Sequence, residues 1–66
     1  MIRVTTKMLN RFLEIMDDYG EFVFGDNKMI KKQLELCLNT QGSWSGNSIR
    51  VNYNSDTKDF TIGNRF

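Results

Sequence analysis

The chain has 66 residues, 39% of them hydrophobic and 12% aromatic, which allows a single small domain (residues 1–66) with a modest core. Nine Lys and Arg against eight Asp and Glu leave a net charge of +1, without the strong basic excess of typical nucleic-acid-binding domains. The single cysteine excludes an internal disulfide, and the absence of histidine removes the usual zinc spacings.

The first periodic segment is residues 6–19, which we predict to be a helix. Thr5 or Thr6 can cap its amino end, and Gly20 stands where a left-handed carboxyl cap belongs. Apolar side chains recur at spacings of three and four, as on one face of an amphipathic helix. They are Met8, Leu9, Phe12, Leu13, Met16 and Tyr19.

Residues 21–24, with the sequence Glu-Phe-Val-Phe, are predicted to form a short strand. They are aromatic and lie between two glycines, which is typical of a strand bounded by turns. Phe22 and Phe24 would project to one side of this strand. We expect them in the core rather than on the surface as a stacking platform for bases.

A second helix is predicted from Asp26 or Asn27 to residue 38. Its apolar face is widened by Met29 and formed by Ile30, Leu34, Cys37 and Leu38. Residues 39–47 break the periodicity around two glycines and Trp44, which predicts a loop.

The remaining residues, 48–63, are predicted to form a β-hairpin. Apolar Ile49, Val51 and Tyr53 alternate with polar residues, residues 54–58 have turn chemistry, and the return strand carries Phe60 and Ile62. Residues 2–4 could add a short edge strand. The predicted fold is therefore α+β, with two helices packed on a small, mostly antiparallel sheet of three or four strands, in the order (β)αβαββ.

No catalytic, metal-binding or cofactor-binding residue is predicted. Asp17 and Asp18 occupy adjacent helix positions and point in different directions. Cys37 lies on an apolar face with no base to lower its pKa, so a structural thiol is favoured over a nucleophile. Gly25 precedes a helix without the glycine spacing of a nucleotide-binding loop. We therefore expect a protein that is not an enzyme.

Lys28, Lys31 and Lys32, at the start of the second predicted helix, form one candidate binding patch. Their spacing brings them onto one surface, at a helix end whose free N–H groups already attract anions. The patch fits phosphate groups or acidic side chains. The alternative is a solvated face that Glu35, one turn away, partly offsets.

Trp44, within a Gly/Ser-rich loop, is the second candidate. An exposed tryptophan there would be an interface anchor, whereas in the alternative its ring folds back over a small core. Tyr53 and Phe66 are weaker candidates of the same kind. Arg50, on the polar face of the hairpin, could contact phosphate.

We first expect a non-catalytic protein-binding module that inhibits or modulates a larger host protein. Its size, cysteine use and Asn-rich, proline-free composition resemble those of small accessory proteins of phages and mobile elements. The lone cysteine and the lack of a signal peptide or membrane-length apolar run predict a cytoplasmic protein without a membrane partner.

The second expectation is a regulator that binds nucleic acid. The predicted element order is similar to that of the winged-helix family, with residues 6–19, 21–24, 27–38 and 48–63 as the matching parts. The family's separate recognition helix has no clear counterpart in residues 39–47. A third alternative is a homo-oligomeric structural protein, such as a homodimer, assembled through exposed edge strands.

Overall fold

The computed structural model describes residues 1–65, with the backbone alone for Arg65, and Phe66 lies outside the described residues. The fold is α+β, with two helices followed by a three-stranded antiparallel sheet, as predicted. The elements are α1 (Thr6–Asp18), α2 (Asn27–Gln41), β1 (Ser43–Ser45), β2 (Ile49–Asn54) and β3 (Asp59–Arg65).

The predicted first helix is confirmed, and Thr5 caps it. The Thr5 hydroxyl accepts a hydrogen bond from the Met8 backbone N–H at 3.2 Å, which satisfies one of the free donors at the helix start. Gly20 follows the helix in the left-handed region with φ of 66°. The helix buries one face, formed by Leu9, Phe12, Ile15 and Met16.

The predicted strand at residues 21–24 is wrong. The sheet has the strand order β1-β2-β3, and none of the described strands pairs with this segment. The Glu21 N–H instead donates to the Met16 carbonyl at the end of α1, at 2.8 Å. Successive side chains of the segment still point to opposite sides, but the side that is buried is not the predicted one. Glu21 is buried and Val23 is half-buried, whereas Phe22 and Phe24 face solvent. The prediction that these two rings belong to the core is therefore also wrong.

The second helix begins as predicted and continues beyond residue 38 to Gln41. The Asp26 carboxylate accepts a hydrogen bond from the Met29 N–H at 2.9 Å, and Gly42 ends the helix with φ of 77°. Its buried face consists of Ile30, Leu34 and Leu38. Cys37 is half-buried and its thiol is free.

The sheet includes a strand that the sequence did not predict. Within the predicted loop, β1 pairs with β2 so that Trp44 lies opposite Val51. The hairpin of β2 and β3 is confirmed, with a register irregularity beside Arg50 that leaves Gly63 as an extra residue in β3. In the described chain no helix separates α2 from β1, so the recognition helix of a winged-helix fold has no counterpart.

The optional fourth strand at residues 2–4 is not present. The Ile2 backbone exchanges two hydrogen bonds with the Asn39 side chain, both at 2.7 Å, and the Val4 N–H donates to the Glu35 carboxylate at 3.0 Å. These contacts direct the segment along α2 rather than along a sheet edge.

Phe12 lies at the centre of the core, between the helices and the sheet. Its ring meets Trp44 edge-on with centroids 5.0 Å apart, and Phe60 with centroids 6.0 Å apart. Such edge contacts add to the stabilisation from burial. Trp44 is only 7% exposed, which agrees with the alternative in which its ring folds back over the core.

Candidate interaction surface

Phe22 and Phe24 are the most exposed aromatic side chains of the described residues. They are 75% and 81% exposed, and their rings stack with centroids 6.2 Å apart and planes inclined by 16°. Large apolar side chains that adjoin on a surface are typical of interaction sites, whereas single exposed ones are ordinary. The pair is therefore the first element of a candidate site.

Glu21 anchors the segment that carries this pair, because its carboxylate is bonded to the loop between β1 and β2. The Glu21 carboxylate accepts hydrogen bonds from the Ser48 hydroxyl, from the Asn47 N–H and, at 3.1 Å, from the Ser48 N–H. The Ser48 hydroxyl, followed by the Asn47 N–H, lowers the pKa of Glu21 from its ordinary value of 4.5. An anchored loop presents its rings with less ordering cost on binding.

The outer face of α2 extends the apolar area. Met29 and Leu36 are 61% and 63% exposed, and a spacing of three and four residues places Lys32 between them on the same face. Met29 lies against Gly25, where an added Cβ would be 3.2 Å from the Met29 Cβ. Because Gly25 directly follows Phe24, the aromatic pair adjoins this helix face. We call Phe22, Phe24, Met29, Lys32 and Leu36 the α2 surface.

A shallow groove of about 420 Å³ lies at the far end of this surface. Leu36 and Lys32 line it together with Met1, Glu35, Asn39 and Thr40. Its lining combines the apolar Met1 and Leu36 with one basic, one acidic and two uncharged polar side chains. The α2 surface is therefore continuous from the aromatic loop to the carboxyl-terminal half of the helix.

One residue of the predicted lysine patch, Lys32, belongs to the α2 surface, and Lys28 and Lys31 precede it on the same helix. Lys28 and Lys32 are exposed and Lys31 is half-buried, and none of the three makes an ion pair with another described residue. Glu35, expected to offset them, forms no ion pair with them, but it lines the same groove as Lys32 and also accepts a hydrogen bond from the Val4 N–H. The Asp26 carboxylate is occupied by the cap of α2. The surface is therefore apolar with a basic border.

The other predicted site residues lie elsewhere. Trp44, in β1, is buried with its ring against Phe12, and Arg50 is exposed on β2, where its Nε donates to the Ser45 hydroxyl at 3.4 Å. Tyr53 is half-buried, with its ring edge-on to Phe60 at 5.4 Å. The structure thus groups the lysines with the exposed phenylalanines and separates them from Trp44, Arg50 and Tyr53.

Comparison with known proteins gives no assignment: no family model matches the chain, nor does any curated protein or solved structure. Within the part of the chain that the structure describes, no three Cys, Asp or Glu side chains lie close enough to hold a metal ion. Neither α1 nor α2 has the length and apolarity needed to cross a membrane.

Proposed function

We propose that this chain is a non-catalytic protein-binding module that docks onto a larger protein through the α2 surface. One observation carries the proposal: Phe22 and Phe24 stay exposed side by side, on a segment that Glu21 holds in place. Binding energy at protein interfaces is concentrated in a few large side chains that become fully buried. A stacked aromatic pair with Met29 and Leu36 beside it has this composition.

The charges beside the α2 surface define the chemistry of the partner. Lys28 and Lys32 have no ion pair among the described residues, and Lys32 lies between the apolar side chains of Met29 and Leu36. A complementary partner has an apolar groove with acidic residues at its rim, because opposite potentials favour encounter and correct orientation. Such a module inhibits or modulates its partner by covering part of the partner's surface.

This role fits a small accessory protein of the phage or mobile-element type that acts on a host protein. A cytoplasmic site of action suits Cys37, a free thiol, because reducing compartments keep thiols unoxidised.

Site-specific photo-cross-linking in the native cell tests the proposal. A photoreactive amino acid is placed at Phe24, at Leu36, or at Thr61, which is exposed on β3 and serves as the matched control. We expect one and the same protein to be cross-linked from Phe24 and Leu36, but not from Thr61. Equal cross-linking from all three positions, or adducts only with a second copy of this chain, would contradict the proposal.

A second candidate function is binding of single-stranded nucleic acid. One observation favours it: exposed aromatic rings lie beside unpaired lysines, a combination that stacks bases and contacts phosphates. The test is binding of a single-stranded oligonucleotide as the salt concentration rises. Affinity that falls steeply with salt supports this function because counterion release determines the slope, and no binding at low salt excludes it.

A further inference from the structure

A cleft of about 550 Å³ lies between the start of α1 and the turn that joins β2 to β3. This volume falls in the range of small-molecule sites. Its lining includes three basic side chains and three large apolar ones, namely Arg3, Lys7, Lys58, Met8, Tyr53 and Phe60. The cleft shares none of the residues of the α2 surface.

Three cationic side chains at the rim of the cleft have no ion-pair partner among the described residues. They are Arg3, Lys7 and Lys58, and all three are exposed. They come from the segment before α1, from the first turn of α1 and from the hairpin turn. Three unpaired cations that converge from three segments on one cleft create a site for an anion.

The carboxylate that lines the cleft, that of Asp59, is paired with Arg11 and not with any of these three cations. Asp59 accepts a hydrogen bond from Arg11 Nε at 3.0 Å, and the same guanidinium bonds Glu14 at 3.0 Å. The Phe60 N–H, followed by Arg11, lowers the pKa of Asp59, so this side chain remains ionised and paired. The positive charge of the other three cations therefore remains available to a ligand.

Lys58 occupies an unusual backbone conformation. Its φ of 55° makes it the one described non-glycine residue with positive φ, a conformation that costs a lysine about 1 kcal/mol or more. The turn around it is fixed because the Asn54 side chain accepts hydrogen bonds from the Asp56 and Thr57 N–H groups, at 2.9 and 3.4 Å. A left-handed residue is common in hairpin turns, and here the turn holds Lys58 at the rim of the cleft.

The cleft also has an apolar wall. Met8 and Tyr53 are half-buried, Phe60 is buried, and the Tyr53 ring stands edge-on to Phe60. A wall of two aromatic rings and a thioether suits a flat ring system. The cleft thus combines a cationic rim with an apolar wall.

We propose that this cleft binds a small phosphorylated ligand with a planar ring, of the nucleoside monophosphate class. Arg3, Lys7 and Lys58 contact the phosphate, and the ring lies against Met8, Tyr53 and Phe60. The site is independent of the protein-binding function proposed for the α2 surface.

Titration of the full ¹⁵N-labelled chain, followed by NMR, tests this site. The probes are the four ribonucleoside monophosphates. Adenosine, which lacks the phosphate, and inorganic phosphate, which lacks the ring, are the control ligands. We expect at least one monophosphate to shift the amide signals of Lys7, Met8, Tyr53 and Lys58 saturably. Adenosine and phosphate alone should bind at least about tenfold more weakly, because each lacks one set of contacts.

Two variants separate the cleft from general charge effects. Lys58→Gly removes the charge and suits the positive φ, so the fold is retained while affinity falls about tenfold through loss of a charge-assisted contact. Arg50→Gln removes one positive charge from the exposed face of β2, outside the cleft, and should leave affinity unchanged. The site is refuted if no monophosphate shifts these signals at millimolar concentration, if both variants weaken binding equally, or if only a longer oligonucleotide binds.

Discussion

The ring of Phe22 stacks on the ring of Phe24 with their planes inclined by 16°, although both side chains remain mostly exposed to solvent. The pair stays outside because the intervening Val23 and the preceding Glu21 turn toward the core. A chain of 66 residues can build only a small hydrophobic core, and two exposed phenylalanines contribute nothing to it. Their position is easiest to explain by what they do in a complex.

The first prediction is that removing this pair leaves stability nearly intact. Phe22→Ala combined with Phe24→Ala should lower the free energy of unfolding by no more than about 1 kcal/mol, because only the contact between two exposed rings is lost. Phe12→Ala, at the centre of the core, should cost about 3–5 kcal/mol. Urea unfolding measures both, and a similar loss in the two proteins would show that the exposed pair supports the fold.

The second prediction concerns Trp44 as a core residue. Trp44→Ala should cost about 3–5 kcal/mol, a large part of the stability of so small a domain, because the contact with Phe12 and much buried area are lost. Trp44→Phe keeps a ring in the same place and should retain most of the fold. Circular dichroism during thermal unfolding compares them, and an unchanged melting temperature in Trp44→Ala would contradict the buried position.

Trp44 and β1 show what the sequence did not reveal. The two helices and the hairpin were predictable because their signals are local, such as the cap at Thr5, the glycine at Gly42 and the alternation from Ile49 to Tyr53. β1 has only three residues and becomes a strand by pairing with β2. A serine–tryptophan–serine segment flanked by glycines carries no local sign of that pairing.

The α2 surface was predictable only in part, for a related reason. The lysines could be placed on one helix face from their spacing, and the structure keeps them there. Side chains of residues 21–24 alternate between buried and exposed positions, as the sequence pattern indicates, although the segment is not a strand. The pattern does not tell which of the two sides is buried. The choice is made by Glu21, whose carboxylate meets Asn47 and Ser48 across 26 and 27 residues of sequence.

The third prediction is a pH dependence that originates at Glu21. Hydrogen bonds lower the pKa of Glu21 in the folded protein below 4.5, so their stabilisation is full above that pH and is lost as pH falls through the lowered value. Glu21→Gln should melt at a lower temperature than wild type at pH 7, and the difference should shrink as the pH is lowered below 4.5.

Thermal unfolding across this pH range measures the effect. Asp17→Asn provides the control because Asp17 is exposed and its carboxylate has no hydrogen-bond partner among the described residues. A difference between wild type and Glu21→Gln that stays constant down to strongly acidic pH would show that the Glu21 carboxylate is not held by Asn47 and Ser48.

The fourth prediction compares two glycines. A Cβ on Gly46 would overlap both the Glu21 carboxylate and the Trp44 ring, at 2.6 Å from the latter, so Gly46→Ala should cost about 1–3 kcal/mol. A Cβ on Gly63 would meet the end of the Asn52 side chain, which can rotate away. Gly63→Ala should therefore be much milder, and equal urea midpoints for the two variants would contradict the close packing at Gly46.

The affinity of the partner identified by cross-linking, measured by isothermal titration calorimetry with purified proteins, tests the central claim most directly. Phe22→Ala combined with Phe24→Ala should weaken binding at least roughly 30-fold, because loss of an aromatic anchor costs about 2 kcal/mol or more. Thr61→Ala, on the exposed strand β3, should bind like wild type. Wild-type affinity in the double variant, with the fold intact, would show that the α2 surface is not the docking site.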